Sequence, residues 1–132
     1  MKYEEYTSLA HQAAKLSENG DSEGAIAIFR KIVDSDLATP DRVMMCLNIA
    51  TLYNNMNHRD QTLVWHGRAV ELESHYSGRH ALESRAVYLA KIQSNRESLA
   101  DFEKLLRHPS LNEADKIRVR KYADEVRNRL NL

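Results

Sequence analysis

The sequence predicts an all-α protein of about seven helices, the first six arranged as three antiparallel helix–turn–helix pairs. Apolar residues recur every three to four positions along almost the whole chain, as on one face of a helix. The chain has only four glycines and two prolines, and so few turn-forming residues disfavour a β-sandwich or barrel. With 132 residues, 42% hydrophobic, the chain is expected to form one globular domain over residues 1–132.

The helix boundaries in the first half of the chain are indicated by turn and capping residues. Gly20 interrupts the first apolar pattern, and Asp21 is a suitable N-cap for the second helix. Thr39 is predicted to cap the third helix, because Pro40 then occupies the first helical position. Asn57 is predicted to cap the fourth helix.

Similar signals divide the second half. Residues 76–78 separate the fourth and fifth helices, and residues 94–95 lie in the next gap. Pro109 ends the sixth helix, and Ser110 with Glu113 has the spacing of a capping box for the seventh. The predicted helices span residues 3–19, 21–35, 40–56, 58–73, 79–93, 95–107 and 111–130.

An internal repeat relates the three helix pairs. Two helices approach closely where side chains are small, and a large residue one turn later fills the space beside the crossing. Stacked pairs then bury a continuous core, which a terminal helix must cover. Successive steps of 37 and 36 residues connect Ala13, Ala50 and Ala86; Leu16, Tyr53 and Leu89; Ala25, Thr62 and Ser98; Phe29, His66 and Phe102; and Ile32, Ala69 and Leu105.

These positions resemble the tetratricopeptide repeat (TPR), with the match covering roughly residues 6–107. The resemblance implies a right-handed solenoid with repeats at about 6–39, 43–76 and 79–108 and a solvating end helix at about 111–130. The repeats are longer than the usual period of about 34 residues. His66 replaces a bulky apolar residue and Thr62 replaces alanine, so less regular packing is expected in the middle pair.

The resemblance also implies a concave groove, lined by the first helix of each pair, that binds a peptide or a partner helix. In helix 40–56, Ile49 and Tyr53 share a packing face, while Asn48, Thr51 and Asn55 lie on another. Asparagine is a mediocre helix former, but its amide can bind a peptide backbone. The alternative is a solvated polar face. The predicted groove residues are Thr7, His11, Asn48, Thr51, Asn55, Ser84, Val87 and Lys91, with Ala14, Glu18 and His80 beside them.

One branch of this family holds the C-terminal carboxylate of Hsp70 or Hsp90 with a clamp of lysines, an arginine and asparagines. Only Asn48 fits that clamp here, because Ala10, Ala14, His80 and Ser84 occupy the other positions. Small side chains without a fixed cation pair poorly with a carboxylate. The chain is therefore expected not to be a receptor for those tails.

The charge balance disfavours one class of partner, and the absence of targeting signals favours a cytoplasmic protein. Lysines and arginines number 19, as do aspartates and glutamates, which disfavours a dedicated nucleic-acid binder. Residues 1–66 carry six basic and nine acidic residues, a net charge of −3, whereas residues 67–132 carry 13 and 10, a net charge of +3. There is no signal-peptide pattern at the start and no apolar run of about 18 residues to span a membrane.

No residue pattern predicts catalysis, a metal or a cofactor. Cys46 is the single cysteine and is expected to be a packed thiol. The six histidines form no HExxH motif and no pair four residues apart, so surface or groove positions are expected for them. There is no phosphate-binding glycine loop and no nucleophile elbow. The chain is expected not to be an enzyme.

Two further features allow a functional or a structural interpretation. Trp65 is either an interaction residue or a packing residue, and packing against a neighbouring helix is favoured. The end helix is expected to pack through one face and to be basic on another, which fits either an acidic partner or a solvated face with local ion pairs. The expected packing residues are Ala114, Ile117, Tyr122, Val126 and Leu130, and the basic residues are Lys116, Arg118, Arg120, Lys121, Arg127 and Arg129.

The sequence thus predicts a non-enzymatic module, a scaffold or adaptor, that binds a protein or peptide in its groove. A small secretion chaperone is an alternative, ranked lower because its usual additional N-terminal helix is not evident. A regulatory protein that binds nucleic acid through the basic end helix is a second alternative. A homodimer formed through the end helix is a further interaction that the pattern allows.

Overall fold

The computed structural model describes residues 1–131, which form seven α-helices and no strand. Leu132, the last residue of the predicted domain, lies outside the described residues. Every helix begins and ends within two residues of its predicted bounds, as expected for ends that fray. The helices are α1 (Tyr3–Glu18), α2 (Ser22–Val33), α3 (Thr39–Asn55), α4 (Arg59–Glu73), α5 (His80–Lys91), α6 (Asn95–Leu106) and α7 (Glu113–Arg129).

The helices belong to two compact units. The first unit, Met1–Tyr76, contains α1 to α4, and each of these helices packs on the next. The second unit begins at Ser77 and contains α5 to α7, where α6 packs on both α5 and α7. The single domain over residues 1–132 and the three repeat ranges stay predictions.

The first helix of each pair ends in the same turn. Gly20, Asn57 and Gln93 have φ angles of 85°, 60° and 63° and follow the C-caps of α1, α3 and α5. The backbone N–H of the next residue donates to the carbonyl oxygen five positions earlier. The donor–acceptor pairs are Asp21 to Leu16 at 2.8 Å, His58 to Tyr53 at 2.9 Å and Ser94 to Leu89 at 2.9 Å. This is the Schellman motif, and it recurs at the steps of 37 and 36 residues that the sequence predicts.

Three of the four predicted N-caps are displaced. Asp21 caps α2 as predicted, since its Oδ1 accepts from the Gly24 N–H at 2.8 Å. The prediction for Thr39 was wrong by one residue, because Ala38 is the N-cap of α3. Asn57 ends α3 instead of capping α4. A short polar side chain tolerates the left-handed backbone there.

The predicted cap of α7 was also wrong. Asn112, not Ser110, is the N-cap, and its Oδ1 accepts from the Asp115 N–H at 2.8 Å. Ser110 lies two residues before this N-cap, with its hydroxyl 2.8 Å from His108 Nδ1. Serine and asparagine are both good caps, so the sequence alone does not choose between them.

Most of the repeated positions lie in the core within each unit, whereas Leu16, Tyr53 and His66 are half-buried. Ala13, Ala50 and Ala86 are at most 1% exposed, as are Ile32, Ala69 and Leu105. The polar residues that replace alanine are also fully buried, because their hydroxyls have partners. Thr62 Oγ1 donates to the His58 carbonyl oxygen at 2.8 Å, and Ser98 Oγ donates to that of Ala86 at 2.7 Å. The repeat therefore tolerates a hydroxyl in place of a methyl group.

The packing face of α7 differs from the predicted one. Val119, Ala123 and Val126 are the buried residues of this helix. Ile117 is 65% exposed, so its assignment to the packing face was wrong. Tyr122 is 43% exposed and is not part of the buried face, although its ring stacks on Phe102 of α6. At about 100° per residue Tyr122 lies beside the buried face and Ile117 lies nearly opposite it, so apolar residues on several sides of α7 made its pattern ambiguous.

The structure also corrects the burial expected for other predicted packing residues of the end helix. Ala114 is exposed, and only Val126 of the five predicted packing residues is fully buried, while Leu130 is partly buried.

Within the part of the chain that the structure describes, no helix combines the length and the apolar composition that crossing a membrane requires.

Candidate functional site

A stripe of exposed or half-buried side chains runs along the first helix of each pair. The stripe occupies four positions spaced by four, three and four residues, which lie on one face of a helix. The same steps of 37 and 36 residues relate the stripes. Their members are Thr7, His11, Ala14 and Glu18 on α1; Met44, Asn48, Thr51 and Asn55 on α3; and His80, Ser84, Val87 and Lys91 on α5. Every predicted groove residue lies on one of these stripes.

The α3 stripe presents amide and hydroxyl groups beside one apolar side chain. Asn48 Nδ2 has a weak contact with Met45 Sδ at 3.9 Å, while Thr51 Oγ1 donates to the Leu47 carbonyl oxygen at 3.0 Å. Asn55 is exposed near the end of the helix. Met44, 45% exposed, belongs to the same stripe and was missed by sequence reasoning, although it lies four residues before Asn48. The hydrogen-bonding capacity of the two asparagines is largely available to a ligand.

The α1 stripe is similar but more strongly charged at its end. Thr7 Oγ1 donates to the Tyr3 carbonyl oxygen at 3.0 Å, so the hydroxyl proton is used within the helix. His11, Ala14 and Glu18 are exposed. The oxygen of a threonine hydroxyl that donates to its own helix can still accept a hydrogen bond from a ligand.

The α5 stripe forms one wall of a pocket in the second unit. Val87 and Lys91 line this pocket with Ala90, and α7 provides the opposite wall. The aromatic rings of Phe102 and Tyr122 stack at 5.9 Å with an interplanar angle of 11°. We call this the α5–α7 pocket; its lining residues are Val87, Ala90, Lys91, Phe102, Tyr122, Glu125, Val126 and Arg129. Sequence reasoning did not assign α7 to the site, because only packing shows which flank of α7 meets α5.

A larger open cleft of about 720 Å³ lies in the first unit, between α2, the end of α3 and the start of α4. None of the predicted groove residues lines it. Beside it, the guanidinium groups of Arg30 and Arg68 lie 5.6 and 4.4 Å from the Trp65 ring centroid. Trp65 is only 3% exposed, which confirms that it is a packing residue.

The basic residues of α7 do not form one continuous face. Arg118 pairs with Glu83 of α5 and with Asp115, while Arg129 donates to the Ala90 carbonyl oxygen of α5 at 2.9 Å. Arg127 turns to the other flank, where it pairs with Asp124 at 2.7 Å and with Glu103 of α6 at 3.5 Å. Lys116 pairs with Glu113 at 3.5 Å. Four of the six basic residues therefore make contacts within this unit, consistent with the interpretation as a face with local ion pairs.

The described residues contain no group of three or more histidine, cysteine, aspartate or glutamate side chains arranged to hold a metal ion. Cys46 is fully buried, and burial raises the pKa of its thiol to about 11. A thiol that stays protonated near neutral pH is a poor nucleophile. Cys46 is therefore the packed residue that the sequence predicts.

Comparison with known proteins identifies the fold. No protein-family model matches the sequence, and no curated protein matches it. The structure is similar to the first TPR domain of Spaghetti (RPAP3) bound to the HSP90 peptide SRMEEVD. The TM-score is 0.66 and the sequence identity is 20%, with 100% of this chain and 98% of that chain covered. The chain therefore has the fold of a tetratricopeptide-repeat domain.

Proposed function

We propose that this chain is a non-enzymatic interaction module, a cytoplasmic scaffold or adaptor, that binds a peptide or partner protein through the stripes of α1, α3 and α5. The observation that carries the proposal is the shared register of the three stripes. Each places mostly polar or small side chains outward at the same four positions, with Met44 and Val87 as the larger apolar members, while the alanines between them are buried. Such a surface offers hydrogen bonds to a peptide backbone and sets few demands on its sequence.

The peptide in the related structure supports a peptide as the kind of ligand. Its C-terminal carboxylate is not the feature that we expect this chain to recognise. Ala14 and His80 are exposed, Ala10 and Ser84 are half-buried, and none of these side chains carries a permanent positive charge. We expect free SRMEEVD to bind no more tightly than its C-terminally amidated form. A strong preference for the free acid in a fluorescence-anisotropy titration would contradict this.

The test of the proposed function is an affinity pulldown from the source lysate with matched variants. The Asn48→Ala/Asn55→Ala variant removes two stripe amides, and Asn128→Ala removes an exposed amide from α7 as a control. A protein retained by the native chain and the control, and lost by the double variant, would support binding at the α3 stripe. Equal retention by all three would remove Asn48 and Asn55 from the site.

The alternatives predict different behaviour. A secretion chaperone would keep an otherwise insoluble partner in solution when the two are co-expressed. A nucleic-acid binder would be retained on DNA with a steep dependence on salt, because neutralised phosphates release counterions. The division of the basic residues of α7 between two flanks argues against the nucleic-acid alternative.

A further inference from the structure

The α5–α7 pocket combines an apolar interior with a charged rim. Val87, Ala90, Phe102, Tyr122 and Val126 provide the apolar surface. Two of these side chains remain substantially exposed, Val87 at 46% and Tyr122 at 43%. Large apolar side chains in a concave, partly exposed site are typical of a surface that receives a partner.

Several contacts hold the two walls of the pocket in place. Arg79 pairs with Asp115 at 2.8 Å, and Arg118 pairs with Glu83, so two ion pairs join the starts of α5 and α7. At the other end, Arg129 donates to the Ala90 carbonyl oxygen. The Tyr122 ring is positioned by its stacking on Phe102. A pocket with fixed walls loses little conformational entropy when it is filled.

The size of the pocket limits what it holds. Its volume is about 220 Å³, below the roughly 300–1,000 Å³ of sites that enclose small-molecule ligands. This volume suits one large apolar side chain that projects from a chain passing over the pocket. A cofactor or a whole helix would not fit inside.

The charges at the rim favour an acidic partner. Within residues 1–131, no carboxylate lies within ion-pair distance of Lys91 or Arg129, whereas Glu125 is the single acidic residue that lines the pocket. The sequence from residue 77 onward has 12 lysines and arginines against 8 acidic residues, a net charge of +4. This field attracts negatively charged segments toward the second unit.

We infer that the end helix is part of the binding surface, and that the α5–α7 pocket receives one large apolar side chain of a partner segment whose neighbouring residues are acidic. This inference rests on the proposed function and names the chemistry of the partner at the stripe of the second unit. Tyr122 and Val87 contact the apolar side chain, and Lys91 and Arg129 pair with the flanking carboxylates. Specificity then comes from α5 and α7 together, although the predicted groove contains no residue of α7.

The test uses a short fluorescent peptide, amidated at its C-terminus, with a central leucine between aspartates. Three matched peptides replace the leucine by serine, the aspartates by asparagine, or the aspartates by lysine. The protein variants are Val87→Asp, Lys91→Glu and, as a control of similar exposure, Val64→Asp on α4. Val64 is 50% exposed, close to the 46% of Val87, lies in the first unit and belongs to none of the stripes.

We expect the leucine–aspartate peptide to bind the native chain and Val64→Asp equally. Val87→Asp should weaken binding by about tenfold or more, as for a central interface residue, and Lys91→Glu by about threefold to tenfold, with a smaller salt dependence. The matched peptides should all bind more weakly, and circular dichroism should show that each variant is folded.

Three results would overturn the inference: no binding of the peptide, equal binding by Val87→Asp, or equal binding of the serine or asparagine peptide. A loss of peptide binding in Asn48→Ala/Asn55→Ala, with none in Val87→Asp, would move the contact to the α3 stripe. In that case the proposed function would stand while the α5–α7 pocket would have no part in it. The pulldown with Asn48→Ala/Asn55→Ala tests the proposed function independently of these peptides.

Discussion

Ser98 of α6 donates a hydrogen bond through Oγ to the carbonyl oxygen of Ala86 in α5, at 2.7 Å, and both residues are fully buried. The bond lies at the close contact between the two helices. Because a buried hydroxyl stabilises only when it is paired, this interaction explains how serine occupies a core position here.

Replacing Ser98 by alanine should lower the free energy of unfolding by about 1 kcal/mol, because one buried hydrogen bond is lost and little volume changes. Urea unfolding followed by circular dichroism measures this change. Ser8→Ala is the control, since Ser8 is exposed on α1 and should change stability by less than about 0.5 kcal/mol. Equal stability of Ser98→Ala and the native chain would show that the bond contributes nothing.

Arg85 and Asp101 form a second link between α5 and α6, with two N–O distances of 2.8 and 2.9 Å. The Asp101 side chain is 10% exposed, and its hydrogen bonds raise the pKa of Arg85 above the ordinary value. Arg85→Leu leaves this carboxylate unpaired and should cost about 2 kcal/mol, between the values for surface and buried pairs. The control Arg96→Leu removes an exposed arginine from α6.

A double-mutant cycle with Asp101→Asn separates the ion pair from packing effects. The double variant should be more stable than the sum of the two single losses implies. Strictly additive losses would mean that Arg85 and Asp101 do not stabilise each other.

The three Schellman turns place different residues, Gly20, Asn57 and Gln93, at the same left-handed position. Substitutions there should therefore change the stability of the chain by different amounts. Gln93→Gly should stabilise the chain by about 1 kcal/mol, because a left-handed conformation costs a residue with a Cβ roughly 1–2 kcal/mol. Asn57→Gly should stabilise less, since asparagine tolerates that conformation. Gly20→Ala should destabilise by about 1 kcal/mol through its φ of 85° alone, because no atom lies within 4 Å of an added Cβ.

Thermal unfolding of the three variants under the same conditions checks this order. The key comparison is between Gln93→Gly and Gly20→Ala, which should shift the midpoint in opposite directions. Shifts of the same sign would contradict the argument from the backbone.

The Cys46 thiol should make stability decrease at high pH. Its folded pKa of about 11 exceeds its unfolded value, so both states hold the proton below about pH 8.5. As pH rises toward 11 the unfolded thiol ionises first, and stability falls by at most about 1.4 kcal/mol per pH unit. Urea unfolding from pH 7 to 10 should show a steeper decline for the native chain than for Cys46→Ala. Parallel declines would exclude this contribution.

The local pattern of the sequence determined the helices and their repeat. Helical spacing and turn residues depend on neighbours in the chain, so each helix end lay within two residues of its prediction. The repeated steps also identified close-packed positions. The fully buried ones include Ala13, Ala50 and Ala86 in the first helices and Ile32, Ala69 and Leu105 in the second. The stripe positions followed from the same register, because residues opposite a buried face are exposed.

Tertiary packing decided which faces of the end helix are buried, paired or exposed. Apolar residues occur on both flanks of α7, so its sequence did not reveal that Val119 and Ala123 are buried while Tyr122 is exposed beside Val87. Its arginines were assigned to one face, but contacts with Glu83 and Glu103 divide them between two neighbouring helices. These choices depend on residues more than 20 positions away, which local spacing does not encode. Periodicity determined where the helices are, and long-range packing determined which surfaces remain available to a partner.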